Sequence, residues 1–340
     1  MGYGKLQGRL VASARQRQGL FPVLAPLLAP VLAACCAGSA SAQEFPTRPL
    51  RIIVPYAAGG FPDPMSRALA QSMGSLLGQQ IVVENKPGGG GIPALNELQR
   101  APSDGYLLLC ADAQQWAFQP ALRPGIYDPQ KEFTPLGMLA TAVLFITVRD
   151  DMPVKSFQEL VALAKAKPGT LSYGSSGIGT QHHLFMETVK SQFNVDIVHI
   201  PFKGAVASIG ALIAGDIPVV IAATGTLAGH LKTGKVRRLL AATSGRMRSA
   251  PDVPATADVG LRDSFPGEIG YVVAGATPRP IVERLAAVFA RAAQSPEIAK
   301  AAENLYVDVT YQPPAQMAET MRADLARYVN AIKLVGLKPE

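Results

Sequence analysis

From Leu50 almost to the end of the chain, short apolar runs alternate with amphipathic stretches, and no other feature narrows the possible folds as far. Leu50 to Tyr56 (LRIIVPY) is apolar at nearly every position, which suits a strand buried on both faces. Behind it Met65, Leu69, Met73, Leu76 and Leu77 recur at helical spacing. Strands that take turns with helices predict an α/β architecture. Further strand candidates are Gln80 to Glu84, Tyr106 to Ala111, Leu136 to Val148, Leu171 to Ser175, Ile197 to Pro201, Pro218 to Ala222, Arg238 to Thr243 and Ile269 to Ala276. Helices are expected between most of them. Ser156 and Thr180 are placed as N-caps, and Pro280 opens the stretch from Ile281 to Ala293.

Three glycine-rich breaks interrupt this pattern: Ala58-Gly59-Gly60, Lys86 to Gly91 (KPGGGG) and Gly174 to Gly179 (GSSGIG). Each follows a strand candidate, and the first and third open a helix. Open α/β sheets bind ligands at the carboxyl ends of their strands, so these loops are the place to look for a site. None completes G-x-G-x-x-G, and no Gly-Lys-Ser/Thr supplies a phosphate-binding lysine, which argues against a nucleotide. Gly88 to Gly91 reads equally as a surface turn. The third break offers N–H groups at Ser176, Gly177 and Gly179 and hydroxyls at Ser175, Ser176 and Thr180, at the start of a helix whose dipole favours an anion. The same residues could simply cap the helix. A serine hydrolase built on Ser176 is the alternative, weakened by Ile178 standing where G-x-S-x-G needs its last glycine. His182 and His183 are adjacent and so point to different sides of a helix, and the four histidines read as structural rather than metal-binding. Trp116 fits a pocket wall or a core.

The charge needs dividing before it means anything. A net charge of +7 over 340 residues would suggest nucleic acid or a membrane surface. Lys5, Arg9, Arg15 and Arg17 supply four of those charges, and no acid accompanies them in residues 1–42. Beyond residue 42, 28 basic side chains face 25 acidic ones, and the argument for a nucleic-acid partner lapses. With 48% hydrophobic and 17% charged residues the whole chain is globular in composition, and the part beyond residue 42 is long enough for two domains. Residues 1–42 have the order of a signal peptide: a basic start, an apolar run from about Leu20 to Ala34 broken by Pro22, Pro26 and Pro30, and Ala40-Ser41-Ala42 ahead of Gln43. The run is shorter than a membrane-spanning helix needs. Leu32-Ala33-Ala34-Cys35 resembles a lipobox, so cleavage after Ala42 and lipidation of Cys35 both stay open; either route exports the chain to the periplasm. Cleavage after Ala42 leaves Cys110 as the only thiol and no intramolecular disulfide.

An ordered set of segments carries a family resemblance. Gln43 to Leu50 (QEFPTRPL) runs into Val54 to Asp63 (VPYAAGGFPD). Val83 to Gly88 (VENKPG), Ala101 to Tyr106 (APSDGY), Tyr173 to Thr180 (YGSSGIGT) with His183-Leu184, and Pro201-Phe202-Lys203-Gly204 follow, and then Pro251 to Pro254 (PDVP) before Ala257 to Leu261 (ADVGL). Together they resemble the Bug family, the substrate-binding receptors of tripartite tricarboxylate transporters. The resemblance spans essentially all of the chain beyond the leader. It implies a type II periplasmic-binding-protein fold, two α/β domains around a cleft with a hinge crossed twice, near Thr147 to Asp150 and near Glu268 to Val272. The expected domains are 43–147 with 271–340, and 148–270. It also implies a small carboxylate ligand, such as a di- or tricarboxylate, an acidic amino acid or an aromatic acid. Delivery to membrane permease subunits is implied too, with no catalysis and no cofactor, and a monomer is expected. Signalling to a sensor kinase is the alternative role. Carried over by position, the ligand residues are Ala58, Gly59, Gly60, Phe61 and Asp63 from the first domain and Ser175, Ser176, Gly179, Thr180, His183 and Lys203 from the second. The chain departs from the family pattern at Pro62 and Pro64 around Asp63, at Ala222-Ala223-Thr224, and at Cys110 to Trp116. Within this last segment Asp112 and Gln114 are expected on the ligand wall, where Asp112 could repel an acid or accept an amine.

Overall fold

A computed structural model describes residues 45–338, so the expected leader, Cys35 and the Ala42 site lie outside the described residues. Of the expected strand runs, Leu50–Val54 and Leu107–Asp112 are buried at nearly every position, whereas Ile81–Asn85 and Ile197–Pro201, at sheet edges, are half-buried or exposed along most of their length. In chain order the elements are β1 (Leu50–Val54), α1 (Pro62–Leu77), β2 (Ile81–Asn85), α2 (Ile92–Arg100), β3 (Leu107–Asp112), β4 (Phe133–Ala142), β5 (Leu144–Arg149), α3 (Phe157–Ala166), β6 (Leu171–Ser175) and α4 (Gln181–Phe193). They continue with β7 (Ile197–Pro201), α5 (Ala205–Ala214), β8 (Val219–Ala223), α6 (Thr224–Lys232), β9 (Val236–Ala241), β10 (Gly267–Ala274), α7 (Arg279–Ala292), α8 (Pro296–Leu305), β11 (Asp308–Gln312) and α9 (Pro314–Val335).

Two sheets result. One has six strands in the order β11-β4-β10-β3-β1-β2, the other five in the order β7-β6-β8-β5-β9. The apolar run from Leu136 to Val148, expected as one strand, is two: β4 ends at Ala142 in the larger sheet and β5 begins at Leu144 in the smaller one. Val143 alone joins them. No glycine or proline marks the break. Length was the available sign, since strands rarely exceed about ten residues. Thr147 to Arg149 therefore lies inside β5, and the chain returns to the larger sheet by Gly267, so Glu268 to Val272 lies inside β10. The edge strand β11 (DVTYQ) was not expected at all; its residues are only half-buried or exposed, so no apolar run announces it.

Local signals hold where they are local. Ser156 accepts the Glu159 N–H at 3.2 Å to cap α3, and Thr180 accepts that of His183 at 3.4 Å to cap α4. The glycines of Gly88 to Gly91 form a tight turn beneath Gln114, Gln115 and Gln119. Gly90 has φ +63°, and a Cβ there would lie 2.0 Å from the Gln119 amide, so only glycine fits.

One apolar core lies against the outer face of the larger sheet under α1, α7 and α8, and a second beneath α5 and α6. A third is shared: it runs from Ile53, Leu109 and Val272 of the larger sheet to Tyr173 and Leu184 on the smaller sheet's side. Aromatic rings bridge the two, Phe118 meeting Tyr328 at 6.1 Å, Tyr328 meeting Phe265 at 5.4 Å, and Phe265 meeting Phe185 at 6.0 Å. Trp116 belongs to this core; it is fully buried, and its indole N–H donates to Asp324 at 2.8 Å.

Candidate functional site

β1, β2 and β3 are parallel, and β10 is antiparallel to both β3 and β4, so β1, β3 and β4 all finish at one end of the larger sheet. β5 starts there and is antiparallel to β8, with which β6 runs parallel, as β7 does with β6. The carboxyl ends of β1, β3, β6, β7 and β8 therefore all point to the edge where Val143 crosses. There the Val143 carbonyl accepts the N–H of Thr224 at 3.0 Å. The two sides also meet close to this edge. A Cβ on Gly179 would lie 3.3 Å from the Phe118 ring, and one on Gly225 would lie 4.0 Å from Phe61 Cβ.

The first wall is the loop from Tyr56 to Phe61. Ala58 and Gly59 are exposed and Gly60 and Phe61 half-buried, and the amides of Ala58 and Gly60 make no hydrogen bond within the described residues. Asp63 is turned away from this opening. Its carboxylate accepts the Gly59 N–H at 3.0 Å and pairs with Arg67 at 2.9 Å. Burial opposes its charge, but the Gly59 N–H and Arg67 outweigh that and hold the carboxyl below its usual range. Asp63 thus braces the loop that the sequence expected it to share with a ligand. Asp112 accepts the Tyr56 hydroxyl and the Gln114 N–H. The Gln114 amide side chain lies beside the Gly90 turn.

The second wall is the loop from Ser175 to Thr180, and here expectation needs correcting. Of the three N–H groups predicted to be available, two are taken: Gly177 donates to Ser175 Oγ at 3.1 Å and Gly179 to His183 Nδ1 at 3.1 Å. The Ser175 hydroxyl is wholly buried, 2.7 Å from His199 Nε2, and Thr180 Oγ1 is used by the helix cap and by Gly177 O. Among the described residues Ser176 keeps its N–H and hydroxyl without a partner, as does the exposed Ile178 its N–H. Lys203 is exposed in the loop after β7, which is tied to this wall by the Phe202 N–H donating to Ser175 O at 3.2 Å.

One part of the site was missed, and another was marked only as a departure from the family pattern. His199 sits opposite Tyr173 in the β6–β7 register, which no local pattern discloses. The start of α6, Thr224-Gly225-Thr226, faces Phe61. Its signal was a strand followed by a Thr/Gly helix start, the logic already applied to Gly174 to Gly179. A groove of about 590 Å³ between α1 and β2 is lined by Arg67, Gln71 and Gln80 among others, and lies away from the crossing. Among the described residues no three His, Cys, Asp or Glu side chains gather as metal ligands.

The model of the tripartite tricarboxylate transporter family receptor matches residues 65–337. The chain belongs to this receptor family. It is 33% identical over 306 residues to the UPF0065 protein in the gbd 5′ region of Cupriavidus necator, covering 89% of this chain and 92% of that one. A Rhodopseudomonas palustris protein solved with adipate superposes with a TM-score of 0.78 at 26% identity, covering 87% of this chain and all of the other. MatC from Rhodopseudomonas palustris with bound malate gives 0.74 at 27% identity, covering 85% of this chain and 100% of that one. The receptor has the two-domain periplasmic-binding-protein fold of these relatives. Its serine–histidine contact joins buried Ser175, not Ser176, to a ring backed by Tyr173 and His183 rather than by a carboxylate, unlike a hydrolytic triad.

Behind the receptor's first wall sits a group of acids short of counter-charge. Burial pushes the Asp112 carboxyl up to about 6, and burial with the nearby Asp324 charge pushes Glu268 up to about 7. Arg327 pairs with Asp324 at 3.0 Å, while Glu268 has no ion pair among the described residues.

Proposed function

We propose that the receptor captures a small carboxylate between the loops after β1 and β6 in the periplasm and delivers it to the membrane subunits of a tripartite tricarboxylate transporter. The observation that carries this is the set of unpartnered amides, Ala58 and Gly60 on one wall and Ser176 and Ile178 on the other, at the one edge where both sheets end their strands. Backbone donors of this kind hold a carboxylate without a lysine or arginine beside it. The relatives solved with adipate and malate support the same class of ligand. The domains bearing the two walls close on the acid, and the ligand biases that closure by binding the closed form better.

A thermal-shift screen with malate, adipate, citrate, glutamate and nicotinate tests this. At 100 times its dissociation constant a ligand stabilises by about 2.7 kcal/mol, which raises Tm by a few degrees. At least one acid is expected to do so. Response to uncharged sugars or amides and to none of the acids overturns the reading.

A further inference from the structure

His183 and His199 are on different elements, α4 and β7, yet their rings stack 4.0 Å apart and 10° from parallel, with Tyr173 stacked 4.8 Å beyond His199. Each ring holds one part of the second wall. His183 Nδ1 accepts the Gly179 N–H, so that nitrogen carries no proton and the ring is the Nε2–H form. This extends the Thr180 cap into a reciprocal box: Thr180 Oγ1 takes the His183 N–H, and the His183 side chain reaches back for an N–H ahead of the helix. His199 Nε2 meets the buried Ser175 Oγ, which in turn accepts the Gly177 N–H.

We propose that His183 and His199 are the positioning residues of the second wall, two uncharged rings that shape the 175–180 loop so that the Ser176 and Ile178 amides face the ligand. The inference rests on the reading that this loop takes the carboxylate. The rings must be uncharged for a geometric reason. An imidazolium at 183 would direct a second N–H at the Gly179 N–H, and it would place a cation at a helix start, where the dipole repels it. The charged groups around the pair are Glu187, with a carboxylate oxygen 4.0 Å from His183 Nε2, and Lys190, which pairs with Glu187 at 2.7 Å; the Tyr173 hydroxyl also donates to Glu187. Glu187 is thus shared among three partners. Burial, the largest influence on both rings, holds His183 below its ordinary value and His199 at about 4.

The experiment is NMR on the ¹⁵N-labelled mature protein without ligand, at pH 7.5 to 4.5, on wild type, His183→Asn, His183→Leu and His199→Phe, with circular dichroism to confirm folding. Asn keeps an acceptor near the Nδ1 position but cannot titrate. Wild type is expected to show an unprotonated His183 Nδ1 at pH 7.5, and a Gly179 amide that shifts as the ring protonates, with a midpoint below 6.5. His183→Asn retains the Gly179 position and loses the pH dependence. His183→Leu displaces Gly179 at every pH, and His199→Phe, which can still stack, displaces Gly177. Any screened acid that raises Tm then serves as the binding probe, weakened at least tenfold in His183→Leu and restored to within threefold in His183→Asn. A protonated Nδ1 at pH 7.5, or a Gly179 amide unmoved by His183→Leu, overturns the proposal. A screen in which no acid binds counts against the proposed ligand class, and the amide and ring signals still decide the positioning role.

Discussion

The two walls solve one problem with opposite chemistry. Both are loops between a strand and a helix, and both need a side chain to fold them back on the helix that follows. The first uses a charge: Asp63, 6% exposed, takes the Gly59 N–H while Arg67 neutralises it. The second uses neutral groups, Ser175 Oγ and His183 Nδ1. A carboxylate brace facing the cleft would repel an anionic ligand. Asp63 avoids this by turning away, and the second wall avoids it by carrying no formal charge. The braces also differ in pH range. Asp63 titrates below its ordinary value, so its stabilisation is complete above about pH 4 and is lost as pH falls through the folded value. Both histidines titrate below 6.5, so theirs is complete above 6.5 and is lost as pH falls, through the folded value of His183 and, for His199, towards about 4.

The largest effect is expected from Asp63→Ala, which strands the Gly59 N–H and leaves Arg67 unpaired; urea unfolding should show a loss of about 2–3 kcal/mol at pH 7. A loss no larger than that of Ser175→Ala would remove the contrast between a charged and a neutral brace. Ser175→Ala should itself cost about 1–2 kcal/mol, the desolvation of an unsatisfied Gly177 N–H. Glu268→Gln sharpens the comparison from behind the first wall. Its raised pKa means the folded state prefers the protonated form, so stability drains as pH rises from 4.5 through about 7. Allowing for its partial exposure, the variant should gain about 1 kcal/mol at pH 8 and nothing at pH 4, read by Tm at both values. Smallest is the histidine effect: allowing for the partial exposure of His199, wild type should lose up to about 1 kcal/mol more than His199→Phe between pH 6.5 and 4.5. Equal slopes would show that His199 is not part of the titrating brace.

What was legible in the sequence was whatever depends on neighbours along the chain. The Thr180 and Ser156 caps, the strand-to-glycine-to-helix breaks and most strands needed only local spacing. The family motifs, read in order, carried the fold class. The misreadings share a different cause. Asp63 lies in the first turn of α1, and whether its carboxylate faces the cleft or its own helix depends on Arg67 one turn later and on burial. The Gly177 and Gly179 amides are taken by Ser175 Oγ and His183 Nδ1, side chains that His199 contacts in turn, and His199 is 24 residues from Ser175 and brought near by strand register. Val143 divides two strands of different sheets inside an uninterrupted apolar run, because both sheets bury that run equally well.

Val143 has a mechanical consequence. One residue between β4 and β5 keeps Ala142 and Leu144 within about 7 Å, so at this crossing the sheets have no slack with which to slide apart. The return passage, residues 242–266, is long enough to follow. Any relative motion of the sheets must therefore pivot close to Val143, which is also where the strand ends gather. A small molecule held there sits at the short end of the lever, and the parts of each sheet farthest from Val143 sit at the long end. A shift of a fraction of an ångström at the ligand becomes a much larger sweep at the rim, the part of the molecule that another protein can feel.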